Sequence, residues 1–294
     1  MKLIDKYIDY LRYEKNNSSC TEISYSTDLR QFEEYLQNEH QEVEMLTVDS
    51  DVIRLWMVSL MKSNISARSV NRKLSALKSF YRYLQKIGEI KHNPASRVVA
   101  PKMKKPIPVF VKDKDMELLL EEPSDEKGFI EYRNFLILEL FYVTGIRRAE
   151  LIGMQDVDAD LSSKAIQVTG KGNKQRLIPI SDDVVRKIRK YIDLRSKEVE
   201  VMPEAFFVRE DGKALYPMLV HRVITEKLKM ISVLSKTSPH VLRHSFATAM
   251  LNNGADINAV KEILGHASLA ATEVYTHTSF EELKNIYNQA HPRA

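Results

Sequence analysis

Pro94, Pro101, Pro106 and Pro108 fall within fifteen residues, with Lys102, Lys104 and Lys105 among them. Proline lacks an amide proton and has a fixed φ, so residues 94–108 cannot be helical and are predicted to run extended. This stretch divides the chain, and each side must then build its own core. The expected division is a first domain at 1–93, a basic linker at 94–108 and a second domain at 109–294. Both domains are of ordinary size.

In the first part, apolar residues recur at helical spacing. Leu3, Ile4, Tyr7, Ile8 and Leu11 predict one helix, followed by a loop at Asn16–Ser19. Thr21 can cap a second helix, with Tyr25, Leu29, Phe32 and Leu36 on its inner face, and Ser50 can cap a third that holds Trp56 and Leu60. Ser66 opens a fourth, with Val70, Leu74, Leu77, Tyr81 and Leu84 inward and Gly88 as its end. The charge matters here. The chain carries a net charge of only +4, yet residues 61–105 hold twelve Lys/Arg and a single acid, Glu89. A solvated helix face usually mixes signs; a block this one-sided is the footprint of a nucleic-acid binder. Arg68, Arg72, Lys73, Lys78 and Arg82 are the candidate DNA contacts on the fourth helix. Such cations would meet phosphates, giving affinity and salt dependence more than sequence choice.

The second part reads as helix, small sheet, then helices. Tyr132–Val143 is apolar nearly all round, which predicts a buried helix broken at Gly145. Arg147 opens the next turn, with Glu150 three residues on and within its reach. Ile166–Val168 and Leu177–Ile180 predict two short strands around the turn Gly170-Lys171-Gly172-Asn173. Helices are expected at Asp182–Arg195 and Val220–Leu228, with a short strand at Phe206–Val208. Ser238 and Pro239 can start a helix that puts His240 and Arg243 on one face. Asn252-Asn253-Gly254 ends it, and Asp256 caps the next, whose stripe is Ile257, Val260, Ile263 and Leu264. Gly265 closes that helix and delivers His266. Ser268 can cap a third short helix carrying Tyr275. Finally, Phe280, Leu283, Ile286 and Tyr287 predict an amphipathic helix over about 279–288, too short to stand alone in water. Its apolar face needs a groove, on its own domain or on a neighbour.

The chemistry available is that of phosphate. Arginine presents a fork of donors that matches phosphate oxygens, histidine moves protons near neutral pH, and tyrosine can be a covalent nucleophile. A buried polar network with a core tyrosine is the plainer alternative. No cofactor or metal is expected: no acidic cluster lies near these residues, and His240 and His244, at i and i+4, lack an accompanying glutamate. Cys20 is the single cysteine, which excludes a disulfide and fits a reducing cytoplasm. The N-terminal residues are amphipathic and acidic, unlike a signal peptide, and the longest apolar run, Phe135–Val143, is too short for a membrane. A cytoplasmic protein without a membrane partner is expected.

Taken together, these motifs carry a resemblance. His240-Val241-Leu242-Arg243-His244, Leu264-Gly265-His266 and a tyrosine nine residues later resemble the signature of the tyrosine recombinases, or phage integrase family. Gly145-Ile146-Arg147-Arg148-Ala149-Glu150-Leu151 resembles the family's first-arginine box. Thr169-Gly170-Lys171-Gly172-Asn173-Lys174 resembles its lysine hairpin, and Thr21, Tyr25, Asp28, Leu29 and Phe32 resemble its core-binding domain. The ending His291-Pro292-Arg293-Ala294 resembles the Xer-type subgroup. The resemblance implies a mainly α fold, with a four-helix SAM-like core-binding domain before a mixed α/β, mostly helical, catalytic domain. It implies DNA cleavage and rejoining by nucleophilic Tyr275, with Arg147, Lys171, His240, Arg243 and His266 catalytic and Glu150 supporting. Also implied is a homo- or hetero-tetramer on a double-stranded DNA site, possible pairing with a paralogous recombinase, and donation of the C-terminal helix between neighbours. Resolution of chromosome dimers is the first biological role it suggests, and an integrase or invertase of a mobile or phase-variable element the second. A DNA-binding module without catalysis and a monomeric type IB topoisomerase are further alternatives.

Overall fold

The computed structural model describes residues 3–103, 110–124, 127–170, 173–199, 204–231, 237–265 and 280–293. The chain forms two compact units, 1–106 and 107–294.

The first unit is four helices: α1 (Leu3–Asp9, continued by a π turn over Tyr10–Glu14), α2 (Ser19–Glu39), α3 (Ser50–Lys62) and α4 (Ala67–Lys86). Two starts differ from the sequence reading. Helix α2 begins at Ser19, behind Ser18, and α3 is capped by Asp49, whose carboxylate accepts the amides of Asp51 (2.8 Å) and Val52 (2.9 Å). A carboxylate one residue earlier satisfies two of the free amides that Ser50 was expected to serve. Ser66 caps α4 as expected, accepting the Ser69 amide. The stripe of α4 (Val70, Leu74, Leu77, Tyr81, Leu84) packs with Leu29, Phe32 and Trp56 in a single core. Ala95 and Val98, read from the sequence as linker, are also in this core, held by a turn in which Asn93 accepts the Ala95 amide (2.9 Å) and donates to the Lys78 carbonyl (3.2 Å).

The second unit comprises α5 (Asp113–Leu119), α6 (Gly128–Thr144), α7 (Arg148–Ile152), the strands β1 (Ala159–Asp160), β2 (Ala165–Thr169) and β3 (Gln175–Pro179), then α8 (Asp182–Glu198), α9 (Pro217–Lys229), α10 (Pro239–Asn252), α11 (Ile257–Leu264) and α12 (Phe280–Ala290). Every residue of α6 from Phe135 to Thr144 is buried, because α8, α9 and α10 all pack on it. The sheet is antiparallel in the order β1-β2-β3, with Val168 opposite Arg176 and Thr169 opposite Gln175. Strand β1 was not legible, since two residues carry no periodicity. The strand expected at Phe206–Val208 is reduced to one bridge, Val208 to Ala214; what holds Phe206 and Phe207 is complete burial beside Tyr191.

Helix α12 lies on its own unit, with Leu283, Tyr287 and Ala290 buried against the α10–α11 side and β3. Beyond it, the buried His291 ring packs between Tyr142, Phe246 and Tyr287, and Arg293 reaches the buried Glu139 (3.4 Å). Burial pushes the His291 imidazole down to about 4. Among the described residues, no helix is long and apolar enough to cross a membrane.

Candidate functional site

The site grows from the end of α6. Gly145 takes the left-handed conformation (φ +59°), and a Cβ there would lie 2.6 Å from Leu264 and 2.8 Å from Phe246. Only glycine suits both the backbone and the space. The turn it makes leaves Arg147 extended at the cap of α7. Glu150, at the third position of that helix, accepts the Arg147 backbone amide (2.8 Å) and its guanidinium (2.6 Å), so the spacing read from the sequence is realised as half of a capping box.

Arg243 comes from α10 and is nine-tenths buried. It donates to the Gly145 carbonyl and to the Leu264 carbonyl (2.6 Å). The end of α11 accounts for much of this geometry. Its last carbonyls lack helical partners and lie at the negative end of the helix dipole. Three successive ones each accept from a different arginine: Ile263 from Arg176 (2.7 Å), Leu264 from Arg243 and Gly265 from Arg147 (2.7 Å). Three guanidinium charges thus converge on one helix end, and among the described residues Glu150 is the one carboxylate that pairs with them. Two positive charges are left over, which suits a phosphate.

The ionisation states follow. Burial alone would raise the Glu150 carboxyl, but hydrogen bonds from Arg176 and from Arg147 outweigh it and hold it at about 2. Burial, with the like charges of Arg147 and Arg176, pulls Arg243 down to about 10, which still leaves it charged at neutral pH. A cleft of about 210 Å³ opens beside the cluster, lined by Arg147, Arg243, His240, Ser238, Arg148 and His221, among others. His240 is exposed at its edge, and the Arg147 side chain is 36% exposed, so both are accessible there. Lys171, His266 and Tyr275 lie outside the described residues; Gly170 and Gly265, which immediately precede two of them, are described.

Three residues of the site were not picked out in the sequence. His221 carries no local signal, and Arg148 stood in the sequence only as a member of the first-arginine box, with no role of its own. Arg176 does carry one: in a strand with Ile178 buried and Leu177 exposed, Arg176 falls on the inward side with Ile178.

On α4 the five candidate cations divide. Arg68 and Arg82 are exposed, with no ion pair among the described residues. Arg72 is exposed but pairs with Asp28. Lys78 is half-buried and donates to the Val98 carbonyl (2.9 Å). Lys73 is buried; its ammonium meets Asp28 (2.9 Å) and Gln31 and lies over the Trp56 ring. Three residues after Val70 and four before Leu77, Lys73 belongs to the apolar stripe, and its charge is neutralised in place.

Comparison with known proteins gives matches along the chain. Residues 110–282 match the family model described as "Phage integrase family", and residues 4–88 match "Phage integrase, N-terminal SAM-like domain". The tyrosine recombinase XerC of Chlorobaculum tepidum is 36% identical, covering 99% of this chain and 94% of its own. That of Psychromonas ingrahamii is 38% identical, covering 99% and 97%. The crystal structure of the XerH site-specific recombinase bound to its difH substrate superposes with a TM-score of 0.69 at 21% identity, covering 96% of this chain and 83% of that one, a likeness of fold.

Proposed function

The chain belongs to the phage integrase family and is a site-specific DNA recombinase of the Xer type; from that premise we propose that Tyr275 cuts DNA at the Arg147–Arg243 cluster. The phenolic oxygen of Tyr275 gives up its proton through the site histidines and attacks phosphorus, the bond to the 5′ oxygen breaks, and a 3′-phosphotyrosyl link forms. Lys171 supplies the proton that the leaving 5′ oxygen takes up. The 5′-hydroxyl of a partner strand then attacks the same phosphorus, the tyrosyl bond breaks, and Tyr275 regains a proton. One phosphodiester is exchanged for another, so no nucleotide is consumed.

Arg147 and Arg243 neutralise the non-bridging oxygens of the transition state, where preorganised cations contribute about 3–4 kcal/mol each, roughly a hundredfold or more in rate. His240, at the cleft edge, and His266 hydrogen-bond the phosphate and pass protons. Glu150 orients Arg147. Arg68 and Arg82, the free cations of α4, hold the DNA backbone. The enzyme acts as a tetramer on two duplexes, alone or with a paralogous partner, and its role is the resolution of chromosome dimers.

The observation that supports this reading best is the convergence of Arg147 and Arg243 on adjacent carbonyls at the end of α11, beside an open cleft. The test is covalent capture on nicked duplexes carrying candidate chromosomal sites. Wild type is expected to give an adduct that survives denaturing electrophoresis, and Tyr275→Phe to bind the same DNA without one. An adduct from Tyr275→Phe would refute the assignment of the nucleophile.

A further inference from the structure

We infer that Arg176 is a positioning residue for strand cleavage, locking the first arginine, the base of the lysine hairpin and the end of α11 into one unit and offsetting the Glu150 charge so that Arg147 faces the DNA with its own charge uncancelled. The inference rests on the reading of Arg147 and Arg243 as the phosphate clamp.

Arg176 lies on β3, and its side chain is only 12% exposed. All three of its nitrogens are engaged: Nη1 and Nη2 form a fork on the two oxygens of Glu150 (2.8 and 2.9 Å), and Nε donates to the Ile263 carbonyl (2.7 Å). A fork of this kind fixes orientation as well as distance. The carboxylate between the two arginines is saturated. It accepts four N–H groups, two from Arg147 and two from Arg176.

Two glycines show how closely the surroundings fit. A Cβ on Gly265 would lie 3.1 Å from the Arg176 side chain, and one on Gly170 would lie 3.4 Å from Glu150 and 3.7 Å from Arg176. Gly170 precedes Lys171 in the chain and Gly265 precedes His266. Arg176 thus lies beside the residue before each of two proposed catalytic groups and shares a carboxylate with a third.

The electrostatic consequence is specific. Alone with Arg147, Glu150 would cancel the charge that Arg147 must present to phosphate. With Arg176 bound to the same carboxylate, that charge is matched from the protein side and Arg147 keeps its own. Removing Arg176 therefore does more than loosen packing. It leaves a buried carboxylate competing with the substrate for Arg147.

The experiment uses the full-length protein and a nicked duplex carrying a site first obtained by wild-type covalent capture. Single-turnover adduct formation and gel-shift binding are measured for wild type, R176Q, R176K and the R176Q/E150Q double variant. R176Q is expected to bind within about threefold of wild type but to form adduct about tenfold to a hundredfold more slowly. The double variant should be faster than R176Q, because the uncompensated carboxylate is gone. R176K, which restores charge without the fork, should fall between R176Q and wild type. Adduct formation by R176Q at the wild-type rate, binding lost in proportion to cleavage, or a double variant no faster than R176Q would each overturn the inference. Should thermal melting show R176Q unfolded, R176K carries the test: slow cleavage with intact binding supports the inference, and wild-type cleavage overturns it. Absence of adduct from wild type itself would overturn the phosphate-clamp reading on which the inference depends.

Discussion

Glu150→Gln removes one negative charge and almost no volume, so its effect isolates the electrostatics of the arginine cluster. The Glu150 carboxyl is held at about 2 in the folded chain against an ordinary 4.5. That gap of about 2.5 pKa units corresponds to on the order of 3 kcal/mol of folding free energy, at 1.36 kcal/mol per unit. The group is buried, its side chain only 3% exposed, so little of this is lost to solvent screening. Because the folded pKa is the lower one, the stabilisation is complete above the unfolded value of 4.5 and drains away as pH falls to about 2. The amide does not titrate. Glu150→Gln should therefore be less stable than wild type by about 3 kcal/mol at pH 7, with the deficit intact at pH 5.5 and shrinking steadily from about pH 4.5 to 2. Urea unfolding followed by circular dichroism at a series of pH values measures this. Trp56, the single tryptophan, lies in the first unit, so its fluorescence reports that unit separately and should show no change. A deficit that is the same at pH 2.5 and pH 7, or below about 1 kcal/mol at pH 7, would refute the charge-based account.

Other perturbations separate roles that the sequence presents alike. Gly145→Ala forces a side chain into a left-handed turn and against Leu264 and Phe246, and should cost about 2–5 kcal/mol, read as a lower unfolding midpoint of the second unit. Lys73→Met, which leaves Asp28 buried with fewer partners, should destabilise the first unit by about 3 kcal/mol or more, read from Trp56 fluorescence in urea. Arg68→Gln with Arg82→Gln should leave that stability within about 0.5 kcal/mol but lower the slope of log affinity against log salt by roughly 2, measured by DNA titration at several salt concentrations. His291 is held near 4 by burial against an ordinary 6.5, so it favours unfolding progressively as pH falls from 6.5 to 4. His291→Gln should flatten the stability profile across that window, and an unchanged profile would place the acid sensitivity elsewhere.

Much of this protein was legible residue by residue, because helix formation and capping depend on neighbours three and four positions away. The stripes of α2 and α4, the Val260, Ile263 and Leu264 part of the α11 stripe (Ile257 at its start is exposed), the buried character of α6, the glycine ends at Gly145 and Gly265, and the pairing of Arg147 with Glu150 all follow from such local spacing. The motifs that carry the family resemblance are equally short, so Arg147, His240 and Arg243 could be singled out as candidates, and the structure brings the three to one cleft. What the sequence could not supply was the partner across long chain distances. Arg176 and Ile263 are 87 positions apart, and Arg147 and Gly265 are 118 apart; no periodicity relates them. Only folding shows that one helix end collects three arginines, or that Glu150 serves two of them. The charge block on α4 is the converse case. Composition counted its cations correctly but could not say which were free, because burial of Lys73 and pairing of Arg72 depend on Asp28, more than forty residues away on α2. A local interaction is encoded where it occurs, whereas neutralising a charge requires a counter-charge that only the tertiary fold delivers.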